Sequence, residues 1–230
     1  MNDSILSVNA LTKRFGGVTA VDNCSFNVQE ADILGIIGPN GSGKTTLFNL
    51  ISGVYRTDFG EIYHKDELIN KLKPHKIAKR GIGRMFQITQ PFRRMTVFEN
   101  MLTARFDSRK AINLLNFVEL DKLKDELAGN LSGGQQRLLE FARMLMLDPH
   151  LLLLDEPMAG LNPMMVERLS DHLKELHRNG VTIIIVEHDT PFVMNFCKRI
   201  LVLDQGIKIA DGKPDDIMKN KGVIDAYLGE

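Results

Sequence analysis

The sequence has little cysteine, no excess of either charge and no long apolar run. Its cysteines are Cys24 and Cys197. Two thiols without the spacing of a metal site indicate reduced, buried side chains in a cytoplasmic protein rather than a disulfide framework. Lys and Arg together number 29, as do Asp and Glu. Because proteins that bind nucleic acids usually carry a basic excess, this balance argues, although only weakly, against a polyanionic partner, and we expect no nucleic acid to bind.

The lack of long apolar runs argues against a membrane-spanning chain. The longest stretches, residues 151–154 and 181–186, are far shorter than the roughly 20 residues that cross a bilayer. The first ten residues contain no positively charged region followed by an apolar run, so we expect no signal peptide. With 43% hydrophobic and 25% charged residues over a length of 230, the composition is that of a globular protein. We predict one domain spanning residues 1–230.

The spacing of apolar residues predicts two kinds of strand. Apolar and polar residues alternate near the start, which indicates antiparallel strands over residues 5–15 and 18–28. Continuous apolar runs of strand length, which suit parallel strands covered on both faces, occur within residues 31–38, 150–156 and 180–189.

A helical segment interrupts these strands. From residue 97 to 148, apolar residues recur every three or four positions, as they do on one face of a helix. We therefore predict an α/β fold in which residues 1–96 and 149–230 form a phosphate-binding core with a β layer, and residues 97–148 form an inserted helical subdomain. Within the core, residues 60–69 are predicted to form a hairpin with Gly60 in its turn.

The most specific motif is GPNGSGKTT, at residues 38–46, which follows an apolar run and opens a predicted helix. Glycines at these positions let backbone N–H groups turn inward around phosphates, and the N-terminus of the helix adds positive potential. In such a loop Lys44 reaches the β- and γ-phosphates, and the Thr45 hydroxyl ligates Mg²⁺. The predicted ATP-binding residues are Gly38, Pro39, Asn40, Gly41, Ser42, Gly43, Lys44, Thr45 and Thr46.

Polar residues follow three other predicted strands. Asp155 and Glu156 end an apolar run, where a carboxylate beside a phosphate loop can hold Mg²⁺ and the next one can act as general base on a water aimed at the γ-phosphate. His188 follows the neighbouring run and could hold that water. Gln87 can bring its side chain to the metal or the water. The predicted catalytic residues are Glu156, His188 and Gln87, and the predicted Mg²⁺ ligands are Thr45, Gln87 and Asp155.

A second glycine-rich turn, LSGGQ at residues 131–135, lies far along the chain from the phosphate loop. Ser132 is placed to cap the amphipathic helix that follows, and a helix cap is the simplest structural interpretation. Two glycines cost more backbone entropy than a cap requires, however, and they expose N–H groups that form an anion site. Since the chain already has a loop for its own phosphates, we predict that Ser132, Gly133, Gly134 and Gln135 bind, in trans, the γ-phosphate of ATP held by another copy.

The order of these elements resembles that of ABC-transporter ATP-binding subunits over the whole chain: GPNGSGKT, Gln87, LSGGQ, LLLLDE, AGLN and His188. The resemblance implies an ABC-type P-loop ATPase with a RecA-like core. It also implies a head-to-tail dimer that sandwiches two ATP molecules, each between one phosphate loop and the LSGGQ segment of the opposite subunit. Phe15 matches the aromatic residue that stacks on adenine, where tyrosine is more common. Asn162 stands in AGLN where many members have aspartate.

Several segments narrow the resemblance to ATPases of branched-chain amino-acid uptake systems, a branch that includes importers of amides and urea. They are FNLISGVYRTDFGEI, GIGRMFQITQPFRRMTVFEN, QQRLLEFARML, DEPMAGLNP, VEHDTPFVMNFC and the ending VIDAYLGE. Members of that branch commonly carry a longer helical insertion, whereas about thirty residues separate Asn100 from Leu131 here. Lipopolysaccharide-export ATPases are also short in this region, but their LSGGQ helix and ending are less similar, so they are the alternative.

The resemblance also implies partners. They are integral membrane permease subunits, a second ATP-binding subunit that is identical or a sister chain, and indirectly an extracytoplasmic substrate-binding protein. Residues 87–100 are implied to receive a cytoplasmic helix of the permease, although a loop packed on the helical insertion would explain their pattern equally well. The chain is then expected at the cytoplasmic face of the cell membrane as a peripheral protein. Because the permease and the binding protein select the transported molecule, no residue of this chain identifies that molecule.

Other classes of P-loop protein fit less well. ABC-type ATPases of DNA repair or translation usually carry a long coiled-coil insertion or a second nucleotide domain, and this sequence has neither. A small-molecule kinase or a GTPase would have no use for LSGGQ, and the guanine-reading NKxD motif is absent. A non-catalytic scaffold gated by nucleotide would not need Glu156 and His188. We therefore expect an ATP hydrolase that energises transport, with import of branched-chain or other amino acids as the favoured role.

Overall fold

Two β-sheets form the framework of the chain, for which a computed structural model describes residues 4–88 and 90–228. Within those ranges there are ten strands: β1 (Ser4–Phe15), β2 (Val18–Gln29), β3 (Ile33–Ile37), β4 (Phe59–His64), β5 (Glu67–Leu68), β6 (Ile82–Met85), β7 (Leu151–Asp155), β8 (Thr182–Val186), β9 (Arg199–Asp204) and β10 (Ile207–Gly212). The first sheet is antiparallel with the order β2-β1-β4-β5, and the second has the order β10-β9-β3-β8-β7-β6. In the second sheet β10 returns antiparallel to β9, and the other five strands are parallel. The predicted α/β fold with an antiparallel layer is confirmed.

The same part of the chain contains nine α-helices: α1 (Lys44–Ile51), α2 (Pro74–Ala78), α3 (Val97–Ala104), α4 (Ser108–Phe117), α5 (Gly133–Leu145), α6 (Pro163–Arg178), α7 (Thr190–Phe196), α8 (Pro214–Met218) and α9 (Lys221–Leu228). Helices α3, α4 and α5 fall in the segment 97–148 that the apolar spacing predicts to be helical. Thr89 of the segment 87–100, the first three residues and the last two residues of the ending VIDAYLGE lie outside the described residues.

The six-stranded sheet separates two hydrophobic cores. Successive side chains of a strand point to opposite faces, so Leu151 and Leu153 of β7 pack toward the antiparallel sheet and α1, around Phe48. Leu152 and Leu154 pack on the other face, with the helices and Phe141 of α5. Burial of each such side chain contributes about 1.5–3 kcal/mol. A continuous apolar run is therefore the pattern that this position in the sheet requires.

The hairpin of β4 and β5 differs from the sequence prediction. Lys65 and Asp66 form its turn, with φ of 47° and 63°, whereas Gly60 lies inside β4 with φ of 85°. A Cβ atom at Gly60 would approach the carbonyl oxygen of Ala10 to 2.4 Å. Glycine is required there because β4 and β1 come close at an irregularity in their register.

Side-chain caps fix the starts of two helices near the site. Ser132 caps α5 with a reciprocal arrangement, in which its Oγ accepts from Gln135 N and its own N–H donates to Gln135 Oε1. Asn162 caps α6, since its Oδ1 accepts from Met165 N at 2.9 Å. Because an amide oxygen caps a helix about as well as a carboxylate does, asparagine serves this position without a charge.

The parallel strands bring the polar segments of the sequence to one edge of the sheet. β3 leads into the phosphate loop, β6 ends before Gln87, β7 ends at Asp155 and β8 ends before His188. Because β3, β8, β7 and β6 are neighbours in this order, their carboxyl ends open into a common crevice, where α/β sheets bind ligands. Among the described helices, none has both the length and the apolar composition that crossing a bilayer requires.

Candidate functional site

The phosphate loop joins β3 to α1 through backbone conformations that favour glycine. Gly38 and Gly43 have φ of 154° and 101°. A Cβ atom at Gly38 would lie 2.0 Å from Leu203 O, and one at Gly43 would lie 2.3 Å from Ala20 O. Both glycines therefore allow the loop to pass close to neighbouring backbone. This path leaves the N-terminus of α1, which carries the positive end of the helix dipole, at the floor of a cavity.

Lys44 places its ammonium group inside the loop. The side chain is buried, and Nζ donates to Gly38 O at 2.7 Å and to Pro39 O at 2.8 Å. Ser42 Oγ lies 3.3 Å from the same nitrogen. A cation held at the centre of a curved backbone is suited to phosphate oxygens, because the loop itself carries no negative side chain in residues 38–46.

The cavity above this loop also contains the predicted catalytic residues. It has a volume of about 260 Å³, and its lining includes Gln87, Glu156 and His188 beside the phosphate-loop residues Asn40 to Thr46. Its lining is mostly polar, as expected for a site that holds phosphates rather than an apolar ligand. Segments as far apart in the sequence as Ala20 and His188 thus converge on one space.

Both carboxylate oxygens of Glu156 are bonded in this cavity. Gln87 Nε2 donates to Oε2 at 2.8 Å, and His188 Nε2 lies 2.8 Å from Oε1. Glu156 has a φ of 47°, in the left-handed region, and its N–H donates to Val186 O of β8 at 2.8 Å. A residue other than glycine in this region stores strain, which is frequent at functional sites. The carboxylate is held in one orientation at the edge of the phosphate loop.

Asp155 is buried beside Glu156 and forms an ion pair that the sequence motifs do not indicate. Its Oδ2 lies 2.8 Å from Nη2 of Arg84 in β6, and the Arg84 guanidinium stacks over the rings of Phe48 and Phe86. Burial raises the pKa of Asp155, while Arg84 opposes that shift. Burial also lowers the pKa of Arg84 to about 10, so this guanidinium remains charged at neutral pH. An arginine within an otherwise apolar strand was the one sequence signal for this pair.

The oxygen atoms near Asp155 fit a magnesium ion. Asp155 Oδ1 is buried without a hydrogen-bond partner among the described residues. Thr45 and Gln87 line a space together with Asp155. Mg²⁺ prefers hard oxygen ligands and typically binds through one or two carboxylates plus phosphates and water. The three predicted ligands supply a hydroxyl, an amide oxygen and a carboxylate, which is a donor set of this kind.

Phe15 lies outside the cavity lining. It ends β1, is partly exposed, and meets the ring of Tyr55 edge-on with 5.2 Å between ring centroids. Lys13 Nζ lies 5.2 Å from the Phe15 centroid. Phe15 therefore presents an exposed aromatic face, and its predicted stacking on adenine stays a prediction.

The LSGGQ segment also lies outside the cavity of its own chain. Ser132 and Gly133 are exposed at the start of α5, and neither lines the space around Lys44. A Cβ atom at Gly133 would meet open space, whereas one at Gly134 would lie 2.3 Å from Met165 Sδ of α6. The two glycines thus differ: Gly134 allows close packing of α5 and α6, and Gly133 faces solvent.

Comparisons with known proteins point to one family. The sequence matches the family described as ABC transporter over residues 21–159, and the family described as Branched-chain amino acid ATP-binding cassette transporter over residues 208–230. It is 41% identical over 245 residues to the probable branched-chain amino acid transport ATP-binding protein LivG of Archaeoglobus fulgidus, covering 98% of this chain and 95% of that protein. It is 40% identical over 254 residues to the high-affinity branched-chain amino acid transport ATP-binding protein BraF of Pseudomonas aeruginosa, covering 100% of both.

Solved structures of similar fold agree. A nucleotide-free ATP-binding cassette from an ABC transporter superimposes with a TM-score of 0.92 at 34% identity, covering 99% of this chain and 100% of that chain. A dimeric post-hydrolysis state of the cassette MJ0796, bound to ADP and Pi, has a TM-score of 0.82 at 28% identity, covering 91% of this chain and 98% of that one.

Proposed function

The chain belongs to the ABC transporter family and is an ATP hydrolase that energises a transporter, and from this premise we propose that its transporter imports branched-chain amino acids or chemically related solutes. The names of the full-length relatives support this cargo. The match of residues 208–230 to the branched-chain family supports it independently of the ATPase motifs. Other amino acids, amides and urea are the alternative cargoes, because the transported molecule contacts other subunits of the transporter and not this chain.

The catalytic proposal depends on one observation, which is the bonding of both Glu156 oxygens at the edge of the phosphate loop. Gln87 and His188 orient this carboxylate, so that it can accept a proton from a water that attacks the γ-phosphate in line. Lys44 stabilises negative charge on the β- and γ-phosphate oxygens. When bound to Thr45, Gln87 and Asp155, Mg²⁺ would neutralise further charge on the transferred phosphoryl group.

We also infer that residues 97–148 act as the helical subdomain that presents LSGGQ to a second subunit, and that residues 1–96 and 149–230 act as the nucleotide-binding core. Ser132 and Gly133 are exposed and do not line the cavity of their own chain. In a head-to-tail dimer, the N–H groups at the start of α5 would meet the γ-phosphate of the opposite subunit's ATP. Dimeric cassettes among the similar structures support this arrangement. The second subunit is either an identical chain or a sister ATPase.

A permease helix is proposed to dock beside the segment 87–100. Phe86, Ile88 and Phe92 expose large apolar surfaces there, and a cavity of about 520 Å³ that includes Phe86 and Ile88 in its lining adjoins the segment. Exposed apolar clusters of this kind mark protein contacts. Docking at this surface would place the chain at the cytoplasmic face of the membrane as a peripheral subunit, with an extracytoplasmic binding protein reached only through the permease.

The first experiment is to measure the phosphate release and the mass of the Glu156→Gln variant, by light scattering, with and without MgATP. Glutamine is isosteric but accepts no proton, so turnover should fall by about 10²- to 10⁴-fold while ATP binding persists. A shift from monomer to dimer only with MgATP would support the sandwich. Glu175→Gln makes the same change on the exposed face of α6 and should behave like the unchanged protein.

Two outcomes would count against the proposal. Turnover of Glu156→Gln near that of the unchanged protein would contradict the role of Glu156. If Glu156→Gln stays monomeric with MgATP, it is next mixed with a sister ATPase. If no dimer forms in that mixture either, the head-to-tail arrangement is contradicted.

A further inference from the structure

A buried arginine of the LSGGQ helix contacts the backbone on both sides of the Glu156 carboxylate. Arg137 lies in α5, five residues after Ser132, and its side chain is 3% exposed. Its Nη1 donates to Phe86 O at 2.6 Å and to Gln87 O at 3.0 Å. The backbone that presents the Gln87 side chain is therefore bonded directly to α5.

The same guanidinium holds the segment that carries the two carboxylates. Nη2 of Arg137 donates to Asp155 O at 3.1 Å and to Glu156 O at 2.6 Å, and Nε donates to Pro157 O at 3.2 Å. All five of these acceptors are backbone carbonyl oxygens. A planar guanidinium can serve two separate segments at once because its donors point outward in a rigid fork.

Burying the Arg137 cation costs free energy, so we expect this residue to do more than fill space between α5 and the sheet. Burial lowers the pKa of Arg137, which reflects the cost of removing a cation from water. Glu140, one turn along α5, lies 3.6 Å away and supplies compensating charge. Apolar side chains alone could attach α5 to the sheet, as Leu138 and Phe141 of the same helix do, but they could not fix the direction of carbonyl groups in two loops.

We propose that Arg137 is a positioning residue, which sets the distance between Gln87 and Glu156 and ties both to the start of α5. The inference rests on the proposed roles of Glu156 and of the LSGGQ segment. In a head-to-tail dimer, Ser132 and Gly133 contact the nucleotide of the opposite subunit, whereas Gln87 and Glu156 act on the chain's own nucleotide. A shift of α5 when it meets the opposite nucleotide therefore moves the Gln87–Glu156 pair of the same chain, so that Arg137 links the two ATP sites.

The direct test compares Arg137→Met and Arg137→Lys with the unchanged protein in kcat, in the Kd of a fluorescent ATP analogue with Mg²⁺, and in thermal stability. We expect kcat to fall by about 10- to 100-fold, since misplacement of a catalytic group by an ångström has effects of this size. The Kd should change by less than threefold, because Arg137 contacts no residue of the phosphate loop in the hydrogen bonds described. Lysine should not restore kcat, since one ammonium cannot reach both segments.

Leu145→Ala is the matched control for a loss of stability alone. Leu145 is a buried core residue of the same helix and lies outside the catalytic cavity. Its truncation should lower the melting temperature but leave kcat, measured well below that temperature, unchanged. Amide hydrogen exchange gives a second readout: segments 85–88 and 155–158 should exchange faster in Arg137→Met than in Leu145→Ala.

Several results would overturn the positioning role. The first is an unchanged kcat in either Arg137 variant. The second is an equal loss of kcat in Leu145→Ala at the same melting temperature. The third is a loss of nucleotide affinity as large as the loss of kcat. If Arg137→Met does not fold, Arg137→Lys carries the same test. Glu156→Gln is measured in parallel: if its turnover stays near that of the unchanged protein, the proposed catalytic site is wrong. If it is inactive while both Arg137 variants turn over normally, the positioning role alone is wrong.

Discussion

The Arg84 guanidinium and the Asp155 carboxylate form a 2.8 Å ion pair in which the side chains are 7% and 1% exposed. Arg84 therefore balances the charge of the carboxylate that we propose as a Mg²⁺ ligand. Nε and Nη1 of Arg84 are buried without hydrogen-bond partners among the described residues, so the ion pair and the flanking aromatic rings are its main compensation.

Loss of this pair should destabilise the free protein. Arg84→Met leaves the buried Asp155 carboxylate without its ion-pair partner, and removing one partner of a buried ion pair costs about 3–5 kcal/mol. Thermal unfolding measures the loss. Arg105→Met is the control, because Arg105 and Asp148 form an exposed pair whose removal should cost no more than about 1 kcal/mol. Equal losses in the two variants would show that the Arg84 pair contributes nothing beyond an exposed one.

The contact between His188 and Glu156 predicts a loss of rate without a loss of binding. In His188→Ala the Glu156 carboxylate keeps Gln87 but loses its second partner, so kcat should fall by about 10²-fold or more, within the range of general-base effects. Nucleotide affinity should persist, since Lys44 and the phosphate loop are untouched. Steady-state kinetics and equilibrium binding separate the two quantities. The control is His75→Ala, which changes an exposed histidine of α2 and should leave both quantities unchanged. An equal loss of kcat in His75→Ala would show that the effect of His188→Ala does not come from its contact with Glu156.

The two glycines of LSGGQ should respond differently to alanine. In Gly134→Ala the new methyl group meets Met165 Sδ at 2.3 Å, so the packing of α5 on α6 must adjust, at a cost of about 1–3 kcal/mol. Gly133→Ala meets no atom within 4 Å in its own chain and should keep full stability. Its methyl group would stand where the opposite subunit's ATP is proposed to bind, so MgATP-driven dimerisation in the Glu156→Gln background should weaken. Unimpaired dimerisation of Gly133→Ala would argue against binding in trans.

Phe92→Asp should affect assembly rather than chemistry. Phe92 is 52% exposed, and its ring lies under the Arg143 guanidinium, so a carboxylate is tolerated by the fold but unfavourable against an apolar partner. Co-purification with the permease should fall, whereas the ATP affinity of the isolated subunit should not change. Ile112→Asp, on an exposed position of α4, is the control. Equal loss of assembly and ATP binding in Phe92→Asp would count against the docking surface.

Neither cysteine should react with a thiol reagent in the native protein. Burial raises the pKa of Cys24 to about 11 and that of Cys197 to about 12, so both thiols are protonated and shielded at pH 8. The thiolate is the reactive form. A colorimetric thiol assay should detect both groups only after denaturation. Fast reaction of either thiol under native conditions would indicate local opening around it.

Local pattern was enough to predict much of this structure. The apolar runs that become β3, β7 and β8 and the helical spacing of α5 predict the α/β fold, because a strand or helix buried on a given face constrains its own sequence. The phosphate loop is similarly local, since its glycines, lysine and helix are contiguous. The roles of the site residues stay predictions, although Gln87, Glu156 and His188 do converge on one cavity.

The residues that sequence reasoning missed depend on long-range contacts. Arg84 meets Asp155, 71 positions away, and Arg137 meets loops that lie before and after it. Neither belongs to a motif whose spacing specifies a partner. Gly60 was misplaced for a related reason: glycine commonly marks a turn, whereas here it permits the approach of another strand. Such requirements become visible only when the neighbouring backbone is known.

The division of β7 between two cores has a consequence for the chemistry. Alternate leucines of this strand occupy different compartments, so a slip of one residue would exchange the compartments for the whole strand. The same slip would turn the side chain of Asp155, the last residue of the strand, away from Arg84. In the structure Asp155 continues the face of Leu151 and Leu153 and meets Arg84. Glu156 follows the strand with a φ of 47° and contacts Gln87 and His188. The four leucines therefore determine that Asp155, and not the residue before it, is the side chain buried against Arg84.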